Sequence, residues 1–74
     1  MTVVLITRQG CHLCDEALVA LRSLGVEPDM RDVDADELLH AQYDFRVPVV
    51  LVDGRVVGEG KVRREDLRRA LHLA

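Results

Sequence analysis

The segment that decides the fold is Arg8-Gln9-Gly10-Cys11-His12-Leu13-Cys14, which joins two stretches of different hydrophobic period. Residues 2–7, Thr-Val-Val-Leu-Ile-Thr, are β-branched or apolar and uncharged, which predicts a buried strand. After the segment, apolar residues recur at helical spacing as far as Leu24, and Gly25 is a typical C-terminal stop. The two cysteines therefore lie on a strand-to-helix turn, Cys11 at or just before the first helical turn and Cys14 within it.

This position favours an ionised thiol. The first turn of a helix has unpaired N–H groups and the positive end of the helix dipole, and both stabilise a thiolate, the reactive form of cysteine. Asp15 and Glu16 fall in the same turn and oppose that effect, so the sequence leaves the balance open. Cys14 is close enough to form a disulfide with Cys11 or to attack a mixed disulfide.

Length and composition indicate the number of domains, the kind of core and the partners that this chain is expected to have. The 74 residues predict one small domain, 1–74, with an aliphatic core because the chain has one Phe and one Tyr. The net charge is −3, and charged residues of the two signs are segregated, with an acidic stretch at 27–44 and a basic one at 61–69. The basic stretch has no interleaved aromatic residues, so we interpret it as a solvated helix face and expect no nucleic-acid partner.

We expect no membrane association and a cytoplasmic location, because the sequence has no long apolar stretch and no basic leader. In that compartment a lone Cys-x-x-Cys is more often catalytic than structural.

The rest of the chain alternates extended and helical patterns. The predicted elements are an edge strand within 26–33, a helix over 35–43, a strand over 47–52, its hairpin partner over 55–57 and a helix over 63–73. Asp34 and Glu37 form a capping-box pattern before the second helix. Asp53-Gly54 is a two-residue hairpin turn, and Gly58 and Gly60 are expected to end the hairpin. The order is β-α-β-α-β-β-α, with a right-handed first crossover that makes the first two strands parallel.

With these elements in place, the chain resembles a glutaredoxin-like member of the thioredoxin superfamily, close to the short bacterial glutaredoxin-like proteins. The motifs that carry the resemblance are Cys11-His12-Leu13-Cys14, Arg46-Val47-Pro48 and Gly58-Glu59-Gly60. The resemblance implies an α/β, thioredoxin-like fold with a four-stranded mixed sheet in order 2-1-3-4 and helices on both faces. It also implies a cis bond before Pro48, which would pack beside the cysteines while Val47 offers backbone groups to the bound thiol or peptide.

The function implied by the resemblance is that of a dithiol–disulfide oxidoreductase in which Cys11 attacks and Cys14 resolves. His12, when protonated, would stabilise the Cys11 thiolate. The residues we assign to thiol or substrate binding are Arg8, His12, Leu13, Arg46, Val47 and Pro48, with Gly58, Gly60 and Lys61 as further candidates. Arg8 keeps the charge of the family's lysine before the first cysteine. Glu59 replaces the second of the family's paired glycines, which weakens the expectation of glutathione as the thiol.

We expect no metal and no resident cofactor, a disulfide-containing protein or small-thiol substrate, a thiol or flavin reductase as electron source, and a monomer. One Cys-x-x-Cys with His12, His40 and His72 offers no second close ligand pair for zinc. Two alternatives stay open: a non-catalytic interaction module of the same fold, and an iron–sulfur cluster carrier in which two chains share the cluster.

Overall fold

The computed structural model describes residues 1–72 and shows the predicted order of strands and helices. The elements are β1 (Val3–Thr7), α1 (His12–Ser23), β2 (Asp29–Asp32), a 3-10 turn (Val33–Ala35), α2 (Glu37–Tyr43), β3 (Val49–Val52), β4 (Arg55–Glu59) and α3 (Arg64–Ala70). Leu73, which the sequence places in the last helix, lies outside the described residues. Within those residues, no helix is long and apolar enough to cross a membrane.

The four strands form one mixed sheet in the order β2-β1-β3-β4, as predicted. β1 pairs with β2 in parallel, and the β1–β3 and β3–β4 pairs are antiparallel. β2 lies at one edge, and all four of its residues are exposed. Charged side chains on an edge strand hinder pairing with a further strand, which explains why so polar a segment is tolerated there.

Side chains of β1 alternate between the two faces of the sheet, as the strand period requires. Val3 and Leu5 pack in a cluster with residues of α1 and α3, whereas Ile6 packs in a second cluster around Val33 and Val49. Leu39 and Tyr43 of α2 contact this second cluster. Helices therefore cover both faces, α1 and α3 on one and α2 on the other, as expected.

The predicted N-cap of the second helix is wrong. Asp36, not Asp34, caps α2, and its Oδ1 accepts the N–H groups of Leu38 and Leu39 at 2.8 and 3.1 Å. The chain first makes the 3-10 turn, in which Val33 is fully buried, and then becomes extended at Asp36 before the helix starts. The helix therefore starts at Glu37, two residues later than predicted, and Ala35 belongs to the turn instead.

The hairpin turn is confirmed, but its second strand is longer than predicted. Asp53 and Gly54 both have positive φ, 50° and 83°, as a type I′ turn requires. Val50 pairs with Gly58 while Leu51 pairs with Val56, so Val57 is the extra residue of a β-bulge. The bulge lets β4 continue through Gly58, and the prediction that Gly58 ends the hairpin is wrong.

Candidate functional site

The cysteine segment is held at the start of α1 by a cap that the cysteine itself provides. Cys11 is the N-cap residue, with extended backbone (φ −92°, ψ 105°), and its Sγ accepts the Cys14 N–H at 3.1 Å. The Cys11 N–H in turn donates to the Arg8 carbonyl at 3.3 Å. The sulfur therefore takes the place that a serine or aspartate oxygen usually takes at a helix start, facing N–H groups that lack helical partners.

The two predicted catalytic cysteines are joined in a disulfide, with their Cα atoms 5.2 Å apart. They are the chain's two cysteines, so no other thiol of the chain competes for either sulfur. Their accessibility differs: Cys11 is half-buried, whereas Cys14 is 2% exposed and belongs to the core. An incoming thiol or disulfide therefore reaches Cys11 first.

Val47 and Pro48 lie at the same end of the sheet as the cysteine segment. Ile6 of β1 pairs with Val49 of β3, so the end of β1 lies beside the start of β3. The Val47–Pro48 bond is cis, as the resemblance implies, and Pro48 is buried. The Gly60 N–H donates to the Pro48 carbonyl at 2.9 Å, and Gly60 adopts a positive φ of 68° that favours glycine. Gly60 thus orients the chain around Pro48, and contact of these residues with a thiol stays a prediction.

Arg8, predicted to contact a thiol, is held by two carboxylates of the chain. Its guanidinium donates to both Asp34 carboxylate oxygens at 2.8 Å, to the Asp44 carbonyl at 3.0 Å and to the Asp44 carboxylate. The hydrogen bond from Arg8 holds the pKa of Asp34 below its ordinary value, and the same bonds raise the pKa of Arg8. Arg8 therefore ties the cysteine segment to the 3-10 turn and to the end of α2.

Arg46 also has a carboxylate partner. Its Nε and Nη2 lie 2.7 and 2.6 Å from Glu59 Oε2, and its guanidinium carbon lies 5.1 Å from the centre of the Tyr43 ring. The pairing joins the segment before Pro48 to the end of β4. Glu59 breaks the glycine pair expected from the family resemblance, and the structure gives it this partner.

The remaining predicted cation, Lys61, lies near Glu16 of α1. Its Nζ lies 3.7 Å from Glu16 Oε1, and His12 Nε2 lies 3.1 Å from Glu16 Oε2. His12 is 88% exposed at its side chain and Leu13 is half-buried. Glu16 was not predicted as a site residue. The sequence signal for it is its position one helical turn after His12, which lets the two side chains meet.

Two open cavities flank the cysteine helix. One, of about 350 Å³, is lined by Thr7, Arg8, Gln9, Cys14, Asp15, Leu18, Met30, Arg31 and Asp32. The other, of about 600 Å³, is lined by His12, Asp15, Glu16, Val19, Ala20, Ser23, Val62 and Arg64. Asp15 lines both cavities, and Cys14 lines the first, so an acidic side chain lies on each side of the cysteine helix.

Among residues 1–72, one cluster has ligand atoms close enough for a metal ion. Oxygen and nitrogen atoms of Asp34, His40 and Asp44 lie within 4.8 Å of one another. Arg8 already pairs with both carboxylates, and its positive charge opposes a cation there. We therefore interpret this cluster as an ion-paired link between segments rather than a metal centre.

Comparisons with known proteins agree with this geometry. A family model described as "Glutaredoxin-like domain (DUF836)" matches residues 2–72. An uncharacterized protein of Mycobacterium tuberculosis is 36% identical over 75 residues, 89% of this chain and 77% of that protein. Glutaredoxin-C13 of Arabidopsis thaliana is 33% identical over 64 residues, 76% of this chain and 63% of that protein. The X-ray structure of protein XcR50 from X. campestris superposes with a TM-score of 0.83 at 32% identity, covering 99% of each chain.

Proposed function

Because the chain belongs to the glutaredoxin-like domain family (DUF836) of the thioredoxin superfamily, we propose that it is a dithiol–disulfide oxidoreductase. The observation that carries the proposal is the Cys11–Cys14 pair at the N-terminus of α1, with one accessible and one buried sulfur. A two-step exchange needs this asymmetry. One sulfur must be accessible to attack the substrate disulfide, and the other must lie close to the first to resolve the mixed disulfide.

In the reduced protein, the Cys11 thiolate attacks one sulfur of a substrate disulfide, forms a mixed disulfide and expels the other substrate sulfur as a thiolate. Cys14 then loses its proton and attacks Cys11 Sγ, which expels the second substrate thiolate. The substrate has gained two electrons, and the protein holds the Cys11–Cys14 disulfide. A small thiol or a flavin-dependent reductase restores the dithiol by the reverse exchange.

The local charges support Cys11 as the attacking group. Its sulfur faces the Cys14 N–H and the positive end of α1. Of the two opposing carboxylates, Glu16 shares its charge with His12 and Lys61, whereas Asp15 has no ion-pair partner among residues 1–72. The helix start acts on the sulfur by direct hydrogen bonding, so we expect its stabilisation of the thiolate to prevail.

The position of Val47 supports substrate binding at the start of β3. This residue precedes the paired residues of β3, so its backbone is outside the β1–β3 ladder. In the proposed complex, these backbone groups pair with the substrate chain and hold the substrate sulfur in line with Cys11.

The test uses the two single cysteine variants as matched controls for each other. With a small disulfide, Cys14→Ser should accumulate a mixed disulfide on Cys11, because the resolving sulfur is gone. Cys11→Ser should form at least tenfold less adduct, because its remaining sulfur is buried. Intact-mass spectrometry of non-reduced samples measures both.

An adduct on Cys11→Ser but not on Cys14→Ser would reverse the proposed roles. A wild-type protein that exchanges no disulfide would rule out the oxidoreductase and leave the interaction module or the cluster carrier, which iron content and visible absorbance of the purified protein tell apart. Turnover with glutathione, with other small thiols and with a flavin-dependent reductase identifies the electron source.

A further inference from the structure

The three cations at the site are all held by carboxylates of the chain itself. Arg8 pairs with Asp34 and Asp44, while Arg46 pairs with Glu59 and Lys61 with Glu16. All three were expected to serve a bound thiol, and each has a carboxylate partner. Arg64, which lines the larger cavity, donates to Ser23 Oγ at the other end of α1 and so lies away from Cys11. A ligand carboxylate would compete with a protein carboxylate at each of these three cations.

We propose that the substrate of this site is a disulfide-bearing protein segment with basic residues beside its cysteine, rather than glutathione. The inference rests on the oxidoreductase function proposed above and specifies its substrate. Glutathione carries two carboxylates and one ammonium group, so it needs cations that are free to receive it. A basic segment instead meets the carboxylates that surround the cysteines.

The balance of charge around Cys11 favours that choice. Arg8 faces two carboxylates with one positive charge, and the third neighbour of these carboxylates is His40, whose Nε2 lies 3.8 Å from Asp34 and 3.4 Å from Asp44. With a neutral His40 the cluster has an excess of one negative charge. Asp15 adds a carboxylate that lines both cavities beside the cysteine helix. Complementary potentials across an interface steer association and suppress partners of like charge.

An exposed aromatic ring favours a polypeptide over a small thiol. Phe45 is 96% exposed and lies two residues before Val47. Its neighbours on both sides are anchored, Asp44 to Arg8 and Arg46 to Glu59. A ring presented between two anchored residues, next to the proposed docking strand, offers apolar contact to a chain that continues beyond the reacting cysteine.

A single-turnover reaction tests the charge preference. The reduced protein is mixed with disulfide-linked peptides of equal length whose residues beside the cysteine are Lys, Ser or Glu, and with glutathione disulfide. Two electrons and two thiol protons pass to each disulfide, giving two free thiols and the Cys11–Cys14 disulfide. Each rate is divided by the rate of dithiothreitol with the same peptide, because neighbouring charges also alter the leaving thiol.

We expect the Lys peptide to react about tenfold faster than the Glu peptide at low ionic strength, with a smaller ratio in high salt. Glutathione disulfide should react at about the rate of the Glu peptide or more slowly. Equal normalised rates, or faster reaction of the Glu peptide or glutathione disulfide, would overturn the charge preference and leave the oxidoreductase intact. Absence of exchange with every disulfide would overturn the oxidoreductase itself, and the substrate proposal with it.

Two variants release the paired cations. Glu59→Gln frees Arg46, and Glu16→Gln frees Lys61 and removes the partner of His12. Each should raise the normalised rate with the Glu peptide and glutathione disulfide about two- to fivefold, the range of a surface ion pair, and lower the rate with the Lys peptide.

The matched control is Glu27→Gln, which makes the same change of charge at the far end of α1, where Glu27 pairs with Arg22. It should leave the order and ratios of the rates unchanged. Failure of both site variants to shift the preference, or an equal shift by the control, would overturn the inference.

Discussion

At the scale of single residues, Arg8 connects three segments that are distant in the chain. Its carbonyl accepts the Cys11 N–H, and its guanidinium binds Asp34, 26 residues away, and Asp44, 36 residues away. A planar guanidinium can bind both oxygens of one carboxylate while it donates elsewhere, which a lysine ammonium does not reproduce. Arg8 thus positions the cysteine segment against the 3-10 turn and the end of α2.

The Arg8–Asp34 pair makes stability depend on pH. Because Arg8 holds the pKa of Asp34 below its ordinary value, the unfolded carboxyl group takes up a proton at higher pH than the folded one. The pair therefore contributes stability above about pH 4 and loses that contribution as the pH falls through the lower, folded value. We expect Asp34→Asn to lower the free energy of unfolding at pH 7 and to lower it less at about pH 3.

Urea unfolding at the two pH values, followed by circular dichroism, measures this difference. Asp29→Asn is the matched control. Asp29 and Arg31 both lie on β2 and form an exposed ion pair with each other. A surface pair of this kind contributes little, so the control should be close to wild type at both pH values. A cost of Asp34→Asn that grows on acidification would contradict the assigned sign.

At the scale of elements, α2 shows how tertiary structure chooses between adjacent caps. Asp34 and Asp36 are both preferred N-cap residues by type. Arg8 binds the carboxylate of Asp34, and the neighbouring Val33 is buried against the sheet, which leaves Asp36 to start the helix. The 3-10 turn then connects edge strand β2 to α2.

Removal of the actual cap should destabilise the protein. We expect Asp36→Ala to lower the free energy of unfolding by about 1 kcal/mol, because two N–H groups at the start of α2 lose their acceptor. Asp36→Ser, which keeps an oxygen acceptor, should recover most of the loss. Urea unfolding at pH 7 measures both, and an Asp36→Ala variant as stable as wild type would contradict the assignment of the cap.

At the scale of the whole molecule, two small aliphatic clusters on opposite faces of one sheet hold the fold together. A chain of 74 residues has a total stability of about 4–11 kcal/mol at the usual stability per residue. Loss of one large buried side chain is therefore a considerable part of the total.

Leu21 is fully buried in the cluster that joins α1 and α3 to the sheet. We expect Leu21→Ala to cost about 2–5 kcal/mol, since it removes buried methyl groups and leaves a cavity. Leu38→Ala makes the same change at a helical residue that is 77% exposed and should cost less than about 0.5 kcal/mol. Thermal and urea unfolding compare the two, and similar costs would contradict the position of the core.

The sequence by itself determined the order of strands and helices, the hairpin turn at Asp53-Gly54 and the place of the cysteines at a helix start. These features follow from hydrophobic period and from residues with local backbone preferences, which act over a few neighbours. The motifs, through the family resemblance, also indicated the sheet order and the cis bond before Pro48.

Only the tertiary structure decided which charges meet. The partners of Arg8, Arg46 and Lys61 come from other elements, and they become neighbours when the sheet assembles and the helices pack on it. The choice of Asp36 over Asp34 as the cap and the bulge that keeps Gly58 in β4 have the same origin. The physical reason is that ion pairs and strand register depend on distances between segments far apart in the chain, and local sequence patterns do not specify those distances.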